Sequence, residues 1–139
     1  MMTGTYNHTI DAKGRMFVPA NLRKLLGEEF YVTITGEKCL QIYSMDMWEK
    51  AKEKVAVMRQ DQQKPLRPLF ANAAHCVPDT QGRIPIPQML RDHVGLTKNV
   101  TIVGTGLYAQ IWDADTYMPI HEVESSPESL ADALRTLDF

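Results

Sequence analysis

The chain has 139 residues, of which 44% are hydrophobic and 23% charged, an ordinary composition for a globular protein. Its length favours one compact domain, and no apolar run approaches the roughly 20 residues that a membrane-spanning helix needs. The first residues lack the basic and apolar regions of a signal peptide, so we expect a cytoplasmic protein. Cys39 and Cys76 form no C-x-x-C pair, and we expect both to be buried, reduced thiols.

The net charge of −2 is unevenly distributed along the chain. Residues 113–139 carry seven acidic groups and one basic group, a net charge of −6, so the residues before them carry +4. Four basic groups lie within residues 8–27: Lys13, Arg15, Arg23 and Lys24. Local charge sets the field that a phosphate meets, so the overall acidity does not exclude a nucleic acid as partner.

The first half of the chain is predicted to begin with two strands, a short helix and two further strands. The predicted strands are residues 5–10, 15–18, 30–35 and 39–43. Pro19 suits the first turn of a helix over residues 20–26, because the N–H that proline lacks has no helical partner there. Gly27 suits the C-terminal end of that helix. The run Asp-Ala-Lys-Gly before Arg15 is typical of a turn.

A longer helical segment is predicted to follow. Ser44 is a suitable N-cap for a helix over residues 45–59, with apolar side chains at helical spacing. The glutamine-rich residues 60–64 and Pro65 are predicted to break this helix. Residues 66–74 are predicted to be helical again and to lead into the second half.

The second half is predicted to contain the same elements in the same order. The predicted extended segments are residues 76–78, 83–86, 99–103 and 107–112, with a turn at 79–82 and a helix from Pro87 to about Val94. Proline cannot donate to a ladder, so Pro78 and Pro85 are expected at strand edges or bulges.

The end of the chain is predicted to hold a closing helix and an acidic tail. The helix is predicted over residues 115–123, with Pro119 limiting its length. Residues 125–127 are predicted to form a loop. Residues 128–137 are predicted to be either a short acidic helix or a frayed end.

The two halves match because the sequence repeats. Residues 11–27 (DAKGRMFVPANLRKLLG) and residues 79–95 (DTQGRIPIPQMLRDHVG) share Asp, Gly, Arg, Pro, Leu, Arg and Gly at a constant offset of 68 residues. The match continues as V-T-I-x-G from Val32 and from Val100. Such self-similarity indicates a duplicated supersecondary unit. Each unit is small for independent stability, so we expect the two halves to share one core.

The repeated D-x-x-G-R pattern is the strongest candidate for a functional motif. Each copy is predicted to place an arginine on the strand that leaves a hairpin turn, while Asp11 or Asp79 caps the turn amides or orients that arginine. A pseudo-twofold axis would bring Arg15 and Arg83 side by side. A guanidinium binds phosphate bidentately and reads guanine O6 and N7. A two-stranded ribbon fits the major groove.

The residues of the two turns are therefore candidates for DNA contact. The candidate DNA-binding residues are Lys13, Gly14, Arg15, Gln81, Gly82 and Arg83. In the other interpretation of the pattern, the two Asp–Arg pairs are internal salt bridges that only fix the turns, although exposed pairs contribute little stability. For Arg23 and Arg91, which recur in the short helices, a solvated face or a subunit contact is favoured over DNA contact.

Other classes of site lack sequence support. The four histidines, His8, His75, His93 and His121, show no metal-ligand spacing. Trp48 and Tyr117 occupy equivalent helix starts and are expected in the core. There is no phosphate-binding glycine loop, no nucleophile elbow and no paired acid and base. We therefore expect no metal site, no cofactor, no small-molecule ligand and no enzymatic activity.

The doubled D-x-x-G-R-x-x-x-P closely resembles the MraZ family, two-repeat members of the SpoVT/AbrB-like transcription regulators. The resemblance covers nearly the whole chain, including GTYNHTIDAKGR (4–15), DTQGR (79–83) and GLTK (95–98). It implies an α+β fold, a β-rich swapped-hairpin barrel of the AbrB type built from two tandem ββαββα-type repeats related by a pseudo-twofold axis. The expected divisions are residues 5–47 for repeat 1, 48–73 for a linker helix region, 74–117 for repeat 2 and 118–139 for an acidic C-terminal segment.

The resemblance also implies a function. It implies a nucleoid-associated, sequence-specific regulator, with repression as the expected effect, acting on tandem promoter boxes of the division and cell-wall gene cluster, its own promoter included. Family members form ring-shaped homo-oligomers, and their turns contact double-stranded DNA. This role carries over to Lys13, Arg15 and Arg83, with Asp11 and Asp79 as orienting residues.

The second turn departs from the first, and two other functions stay open. Gln81 stands where the first turn has Lys13, and the second half has two extra prolines, so its turn is expected to contact DNA more weakly or to serve mainly in assembly. The alternatives are an antitoxin-like partner of a toxin and a ring-forming scaffold that binds no DNA.

Overall fold

The computed structural model describes residues 1–138, which contain eight strands. The strands are Thr5–Thr9 (β1), Arg15–Phe17 (β2), Phe30–Ile34 (β3), Leu40–Ser44 (β4), Ala74–Cys76 (β5), Arg83–Pro85 (β6), Asn99–Gly104 (β7) and Ala109–Asp113 (β8). The α-helices are Ala20–Leu26 (α1), Met45–Ala56 (α2), Gln60–Gln63 (α3), Arg67–Ala71 (α4), Gln88–Val94 (α5), Ala114–Glu124 (α6) and Pro127–Leu134 (α7). Single 3₁₀ turns occupy Lys64–Leu66 and Arg135–Leu137.

Six strands form one antiparallel sheet in the order β1-β7-β8-β4-β3-β5, and β2 pairs with β6 in a separate ribbon. The order is symmetric about the β8–β4 boundary, because β1, β7 and β8 correspond to β5, β3 and β4. Strand β1 of the first repeat pairs with β7 of the second, and β5 of the second pairs with β3 of the first. Each repeat thus gives its outer strand to the other half. The expected α+β fold of two interlaced repeats is confirmed.

Both repeats contribute to one hydrophobic core. Its fully buried side chains include Phe30, Met16, Leu22, Leu40, Ile42, Ile84, Ile86, Leu90, Ile102 and Ile111. Met16 of β2 lies opposite Ile84 of β6, and both side chains have no exposed surface. Side chains alternate across a strand, so this ribbon covers the core with one face and leaves the other face outward.

The prolines of the short helices and of the ribbon lie where the sequence predicts them. Helix α1 starts after Pro19 and α5 starts after Pro87, as predicted. Pro85 lies in β6, which pairs with β2 on one side and with no strand of residues 1–138 on the other. The N–H that proline lacks therefore costs no hydrogen bond to a second strand. The edge position predicted for this proline is confirmed.

The predicted break over residues 60–64 is wrong. Helix α2 ends at Ala56, and after a short connection the chain resumes as α3 and a 3₁₀ turn. The side chain of Gln63 donates to the carbonyls of Val55 at 3.1 Å and Met58 at 2.9 Å, which satisfies acceptors at the end of α2. Glutamine is a good helix former, so its abundance here favoured a helix over a break.

Pro119 does not limit the closing helix. Helix α6 runs from Ala114 to Glu124 through Pro119, whose ring denies the carbonyl of Asp115 its helical partner. Asp115 and Pro119 are both exposed, so water can satisfy that carbonyl. Pro127 starts α7, with the Ser126 hydroxyl accepting from the N–H of Ser129 at 3.3 Å. Of the two alternatives for the acidic end, the described residues favour the helix.

The expected environment of the two thiols is confirmed. Cys39 and Cys76 are both buried, and neither forms a disulfide within the described chain. Burial raises the pKa of the Cys76 thiol to about 11 and also raises the pKa of the Cys39 thiol. Both sulfurs therefore stay protonated at neutral pH, which makes them poor nucleophiles.

Among residues 1–138, the helices are all too short or too polar to cross a bilayer.

Gly104 is predicted to be sensitive to substitution because the first residues of the chain pack against it. Met2 exchanges backbone hydrogen bonds with Gly106 at 2.7 and 2.8 Å. A Cβ on Gly104 would lie 2.5 Å from the Thr3 nitrogen and 2.6 Å from the Met2 carbonyl carbon. We expect Gly104→Ala to displace residues 1–4 and to lower the free energy of unfolding by about 1–3 kcal/mol. Thermal unfolding together with hydrogen exchange at residues 1–6 measures both effects.

The matched control is Gly36→Ala, since a Cβ at Gly36 meets no atom within 4 Å. Equal melting temperatures for the two variants would contradict the crowding at Gly104.

Candidate nucleic-acid interface

Two hairpin turns of the same geometry lead into the β2–β6 ribbon, one from each repeat. In the first, the N–H of Asp11 donates to the carbonyl of Arg15 at 2.9 Å, and the N–H of Gly14 donates to the carbonyl of Asp11 at 2.9 Å. Residues 79–83 form the same two bonds at the same distances. Gly14 and Gly82 both have a φ of 78°, where a residue with a Cβ is strained. The duplicated sequence folds into a duplicated turn.

The aspartate of each turn holds both its backbone and its arginine. Asp11 Oδ1 accepts from the backbone N–H groups of Lys13 and Arg15, each at 2.9 Å, and its Oδ2 accepts from Arg15 Nε at 2.8 Å. Asp79 makes the same three bonds within its own turn, at 2.9, 2.9 and 3.0 Å. These contacts give both aspartates the geometry of orienting residues.

The two arginines meet on the outer face of the ribbon. Arg15 lies opposite Pro85, and Arg83 lies opposite Phe17. Arg83 Nη1 is 3.8 Å from Asp11 Oδ2, so one carboxylate lies beside the guanidinium groups of both repeats. The side chains of Arg15 and Arg83 are 30% and 28% exposed, so both are partly buried and still accessible to a ligand. The predicted proximity of the two arginines is confirmed.

The other candidate residues of the turns divide into exposed tips and buried supports. Lys13 and Gln81 are exposed at the tips. Gly14 and Gly82 are buried, and their φ of 78° gives them a role in the shape of each turn. Contact between these two glycines and DNA stays a prediction.

Hydrogen bonding keeps both aspartates ionised. The backbone N–H of Arg15 is the main cause that lowers the pKa of Asp11 below its usual range, with the guanidinium and the N–H of Lys13 adding to it against an opposing effect of burial. The pKa of Asp79 is lowered in the same way, mainly by the backbone N–H of Arg83. An ionised acceptor strengthens each of these hydrogen bonds.

The turns are predicted to weaken in acid. A carboxyl with a lowered folded pKa stabilises the native state above its unfolded pKa of about 3.9, and this contribution is lost as the pH falls through the folded pKa. We expect the wild type to lose stability below about pH 4 relative to an Asp11→Asn/Asp79→Asn variant. Unfolding curves between pH 2.5 and 7 measure the difference.

Asp132→Asn, which alters an exposed ion pair in the C-terminal segment, is the control and should follow the wild type. Parallel curves for the wild type and the double variant would contradict the role of the two carboxylates.

Arg23 and Arg91 were missed by sequence reasoning as parts of this site. The guanidinium of Arg91 lies against Gly14 of the first turn, and that of Arg23 lies against Gly82 of the second. Arg23 also stacks over the Phe17 ring at 5.4 Å. The one available signal was that Arg23 and Arg91 lie 68 residues apart, the same separation as Arg15 and Arg83.

The arrangement is suited to binding anions. Lys13, Arg15 and Arg83 place positive groups on one ribbon, and within residues 1–138 the carboxylates that pair with the two arginines are those of Asp11 and Asp79. Among residues 1–138, no cluster of three or more His, Cys, Asp or Glu side chains is placed to hold a metal ion.

Fold and site together define a class: a single-chain protein of two interlaced repeats, each carrying an Asp–Arg turn on a shared ribbon. The sequence matches the family described as "MraZ protein, putative antitoxin-like" over residues 1–66 and again over residues 69–139. The chain belongs to the MraZ family, as its resemblance indicated.

A solved structure with a weaker likeness is "The solution structure of PHS018 from pyrococcus horikoshii". It is 18% identical, with coverage of 80% of this chain and 88% of that chain and a TM-score of 0.33. A likeness at this level carries no argument about fold or function.

Proposed function

We propose that this protein is a sequence-specific transcription regulator that binds double-stranded DNA through its two Asp–Arg turns. The observation that carries the proposal is the pair of arginines on the outer face of the ribbon. Asp11 engages Arg15, and Asp79 engages Arg83, through the Nε atom in each case. Within residues 1–138 the terminal nitrogens of both side chains form no hydrogen bond, and Arg83 Nη1 lies 3.8 Å from Asp11 Oδ2, so these nitrogens can donate to phosphate or guanine.

The shape and the tips support the same function. A two-stranded ribbon is narrow enough to enter the major groove. Lys13 at the first tip suits a phosphate, while Gln81 at the second tip suits adenine or the DNA backbone. Membership of the MraZ family supports a regulatory role, and the sequence resemblance supports promoter boxes of the division and cell-wall genes, the protein's own promoter included, as the target. As a DNA reader acting by repression, the protein needs no catalytic residue, cofactor or metal.

Assembly is the second part of the proposal. One turn contributes few contacts, and the chain as a whole is acidic, so a single protomer would bind weakly. A homo-oligomeric ring would hold several ribbons at fixed spacing on tandem boxes and raise the affinity by avidity. Such binding to promoter DNA would also place the protein at the nucleoid.

The test is binding of the full-length oligomer to a duplex from its own upstream region. Duplexes with tandem boxes, with one box and with scrambled boxes are compared between 50 and 200 mM salt. We expect affinity to fall steeply with salt and tandem boxes to bind about 100-fold more tightly than one box. Equal binding to the scrambled duplex, or binding that does not respond to salt, would overturn the proposal.

A second candidate follows from the description of the family as antitoxin-like. The acidic helices α6 and α7 expose apolar side chains, Val123 in α6 and Leu130 and Leu134 in α7, a combination that suits a basic protein partner. Under this candidate, the oligomer would bind such a partner with helices α6 and α7 and would not distinguish the three duplexes. An intact oligomer with neither activity would favour a scaffold.

A further inference from the structure

Arg23 and Arg91 occupy equivalent places in the two short helices, close beneath the turns. Arg23 Nε donates to the carbonyl of Val18 at 2.9 Å, and Arg91 Nε donates to the carbonyl of Ile86 at 2.9 Å. Each acceptor belongs to the same repeat as its arginine and lies just before its helix. The bond therefore fixes the direction in which each guanidinium extends.

Both guanidiniums extend onto the turn of the other repeat. A Cβ at Gly14 would lie 2.8 Å from Arg91 Nη2 and 3.0 Å from Arg91 Cζ. A Cβ at Gly82 would lie 2.7 Å from Arg23 Cζ and 2.9 Å from Arg23 Nε. Real Cβ atoms do not approach neighbours so closely, so each glycine is covered by an arginine of the opposite repeat.

The backbone completes the same connection between repeats. The carbonyl of Gly82 accepts from the N–H of Val18 at 2.9 Å, and the carbonyl of Gly14 accepts from the N–H of Ile86 at 2.9 Å. Val18 therefore binds the second turn through its N–H and, through its carbonyl, holds Arg23, which covers that turn. Ile86 makes the same two contacts with the first turn and with Arg91.

Ion pairing does not account for these two arginines. Within residues 1–138, neither guanidinium has a carboxylate within 4.0 Å, whereas Arg15 and Arg83 are both paired. Arg23 and Arg91 are half-buried, and the contacts that hold them are the carbonyl, the covered glycine and, for Arg23, the Phe17 ring. Their placement serves the turns that they cover.

We propose that Arg23 and Arg91 are positioning residues for the DNA-reading turns, each holding the turn of the other repeat. Arg91 holds the turn that carries Lys13 and Arg15, and Arg23 holds the turn that carries Arg83. The contact between each arginine and the opposite turn follows from the distances, while its effect on DNA binding rests on the proposed function.

Hydrogen exchange of the full-length protein without DNA tests the contact. Lysine keeps the charge but lacks the Nε–H and the planar fork. We expect Arg91→Lys to speed exchange several-fold at the amides of residues 13–15 and to leave residues 81–83 unchanged, and Arg23→Lys to do the reverse. Arg59→Lys, in an exposed pair with Asp61, should change neither turn. Equal effects on both turns, or effects confined to the mutated repeat, would overturn the proposal.

A glycine pair provides an independent test by thermal unfolding. Gly14 and Gly95 both have positive φ, at 78° and 69°, but a Cβ at Gly95 would meet only the end of the Lys38 side chain, at 3.7 Å or more. Gly14→Ala should therefore lower the melting temperature more than Gly95→Ala does. In an Arg91→Ala background, the effect of Gly14→Ala should shrink to that of Gly95→Ala. An effect of Gly14→Ala that is the same in both backgrounds would show that Arg91 does not cover the turn.

DNA binding separates positioning from direct contact. Arg91→Lys should weaken binding about tenfold in the wild-type background, within the range for coupled neighbouring residues. Arg91→Lys should not weaken DNA binding further in a Lys13→Ala/Arg15→Ala background. In an Arg83→Ala background, it should weaken binding by the same factor as in the wild type. Additivity in both backgrounds would mean that Arg91 contacts DNA itself and would overturn the positioning role. If the wild type binds no DNA, the proposed function fails, and the exchange experiment still decides whether the contact exists.

Discussion

If the protein binds DNA as an oligomer, as proposed, Arg15→Ala is expected to abolish most of the affinity for tandem promoter DNA while leaving the oligomer intact. One bidentate arginine is worth about 1–3 kcal/mol, and an oligomer loses this contact in every protomer on the DNA. We therefore expect a loss of at least about 100-fold, because avidity multiplies the individual losses. Titration of labelled duplex, with oligomer size checked by light scattering, measures the effect.

Three further variants define the meaning of that loss. Arg15→Lys should lie between the wild type and Arg15→Ala, since it keeps the charge and loses the fork. Arg83→Ala should cost less than Arg15→Ala, because its tip carries Gln81 in place of a lysine. Arg135→Ala, in an exposed pair with Asp132, should bind as the wild type does. Wild-type affinity in Arg15→Ala would exclude the first turn as a reading surface.

Phe30→Ala is expected to cause the largest loss of stability. Phe30 has no exposed surface and lies in β3 opposite both Ser44 of β4 and Cys76 of β5, where the two repeats join. Removal of a buried phenyl ring costs about 3–5 kcal/mol, a large share of the roughly 5–15 kcal/mol that stabilises a domain. Denaturant unfolding at a fixed protein concentration measures it, since the proposed assembly would contribute to stability.

The control for this substitution is Leu107→Ala, whose side chain is 53% exposed and should change stability by no more than about 0.5 kcal/mol. A loss below 1 kcal/mol in Phe30→Ala would mean that the core refills the space left by the ring.

Local signals predicted the turns and the short helices correctly. The turn at Asp11 and its copy at Asp79 depend on bonds between residues at most four apart, so the residues involved are adjacent in the sequence. Pro19 and Pro87 occupy the N-cap positions of their helices, where the N–H that proline lacks has no helical partner. These features need no knowledge of the rest of the fold.

The contacts that Arg23 and Arg91 make with the opposite repeat were beyond such reasoning. Arg23 meets Gly82 only because the ribbon joins the two repeats, and the two residues lie 59 positions apart in the chain. Helix α6 continues through Pro119 at an exposed stretch, where water can satisfy the carbonyl of Asp115, and propensity at one position does not reveal this exposure. The exchange of strands β1 and β5 was predicted from the family resemblance and not from the residues themselves.

The joining of both repeats in one chain gives the molecule a polarity. Two identical subunits around a twofold axis would present identical tips and would favour a palindromic site. Here the halves share the ribbon, yet one tip carries Lys13 and the other Gln81, so each protomer has a front and a back. Under the proposed function, a row of such protomers would match head-to-tail boxes and would distinguish the two directions along a promoter.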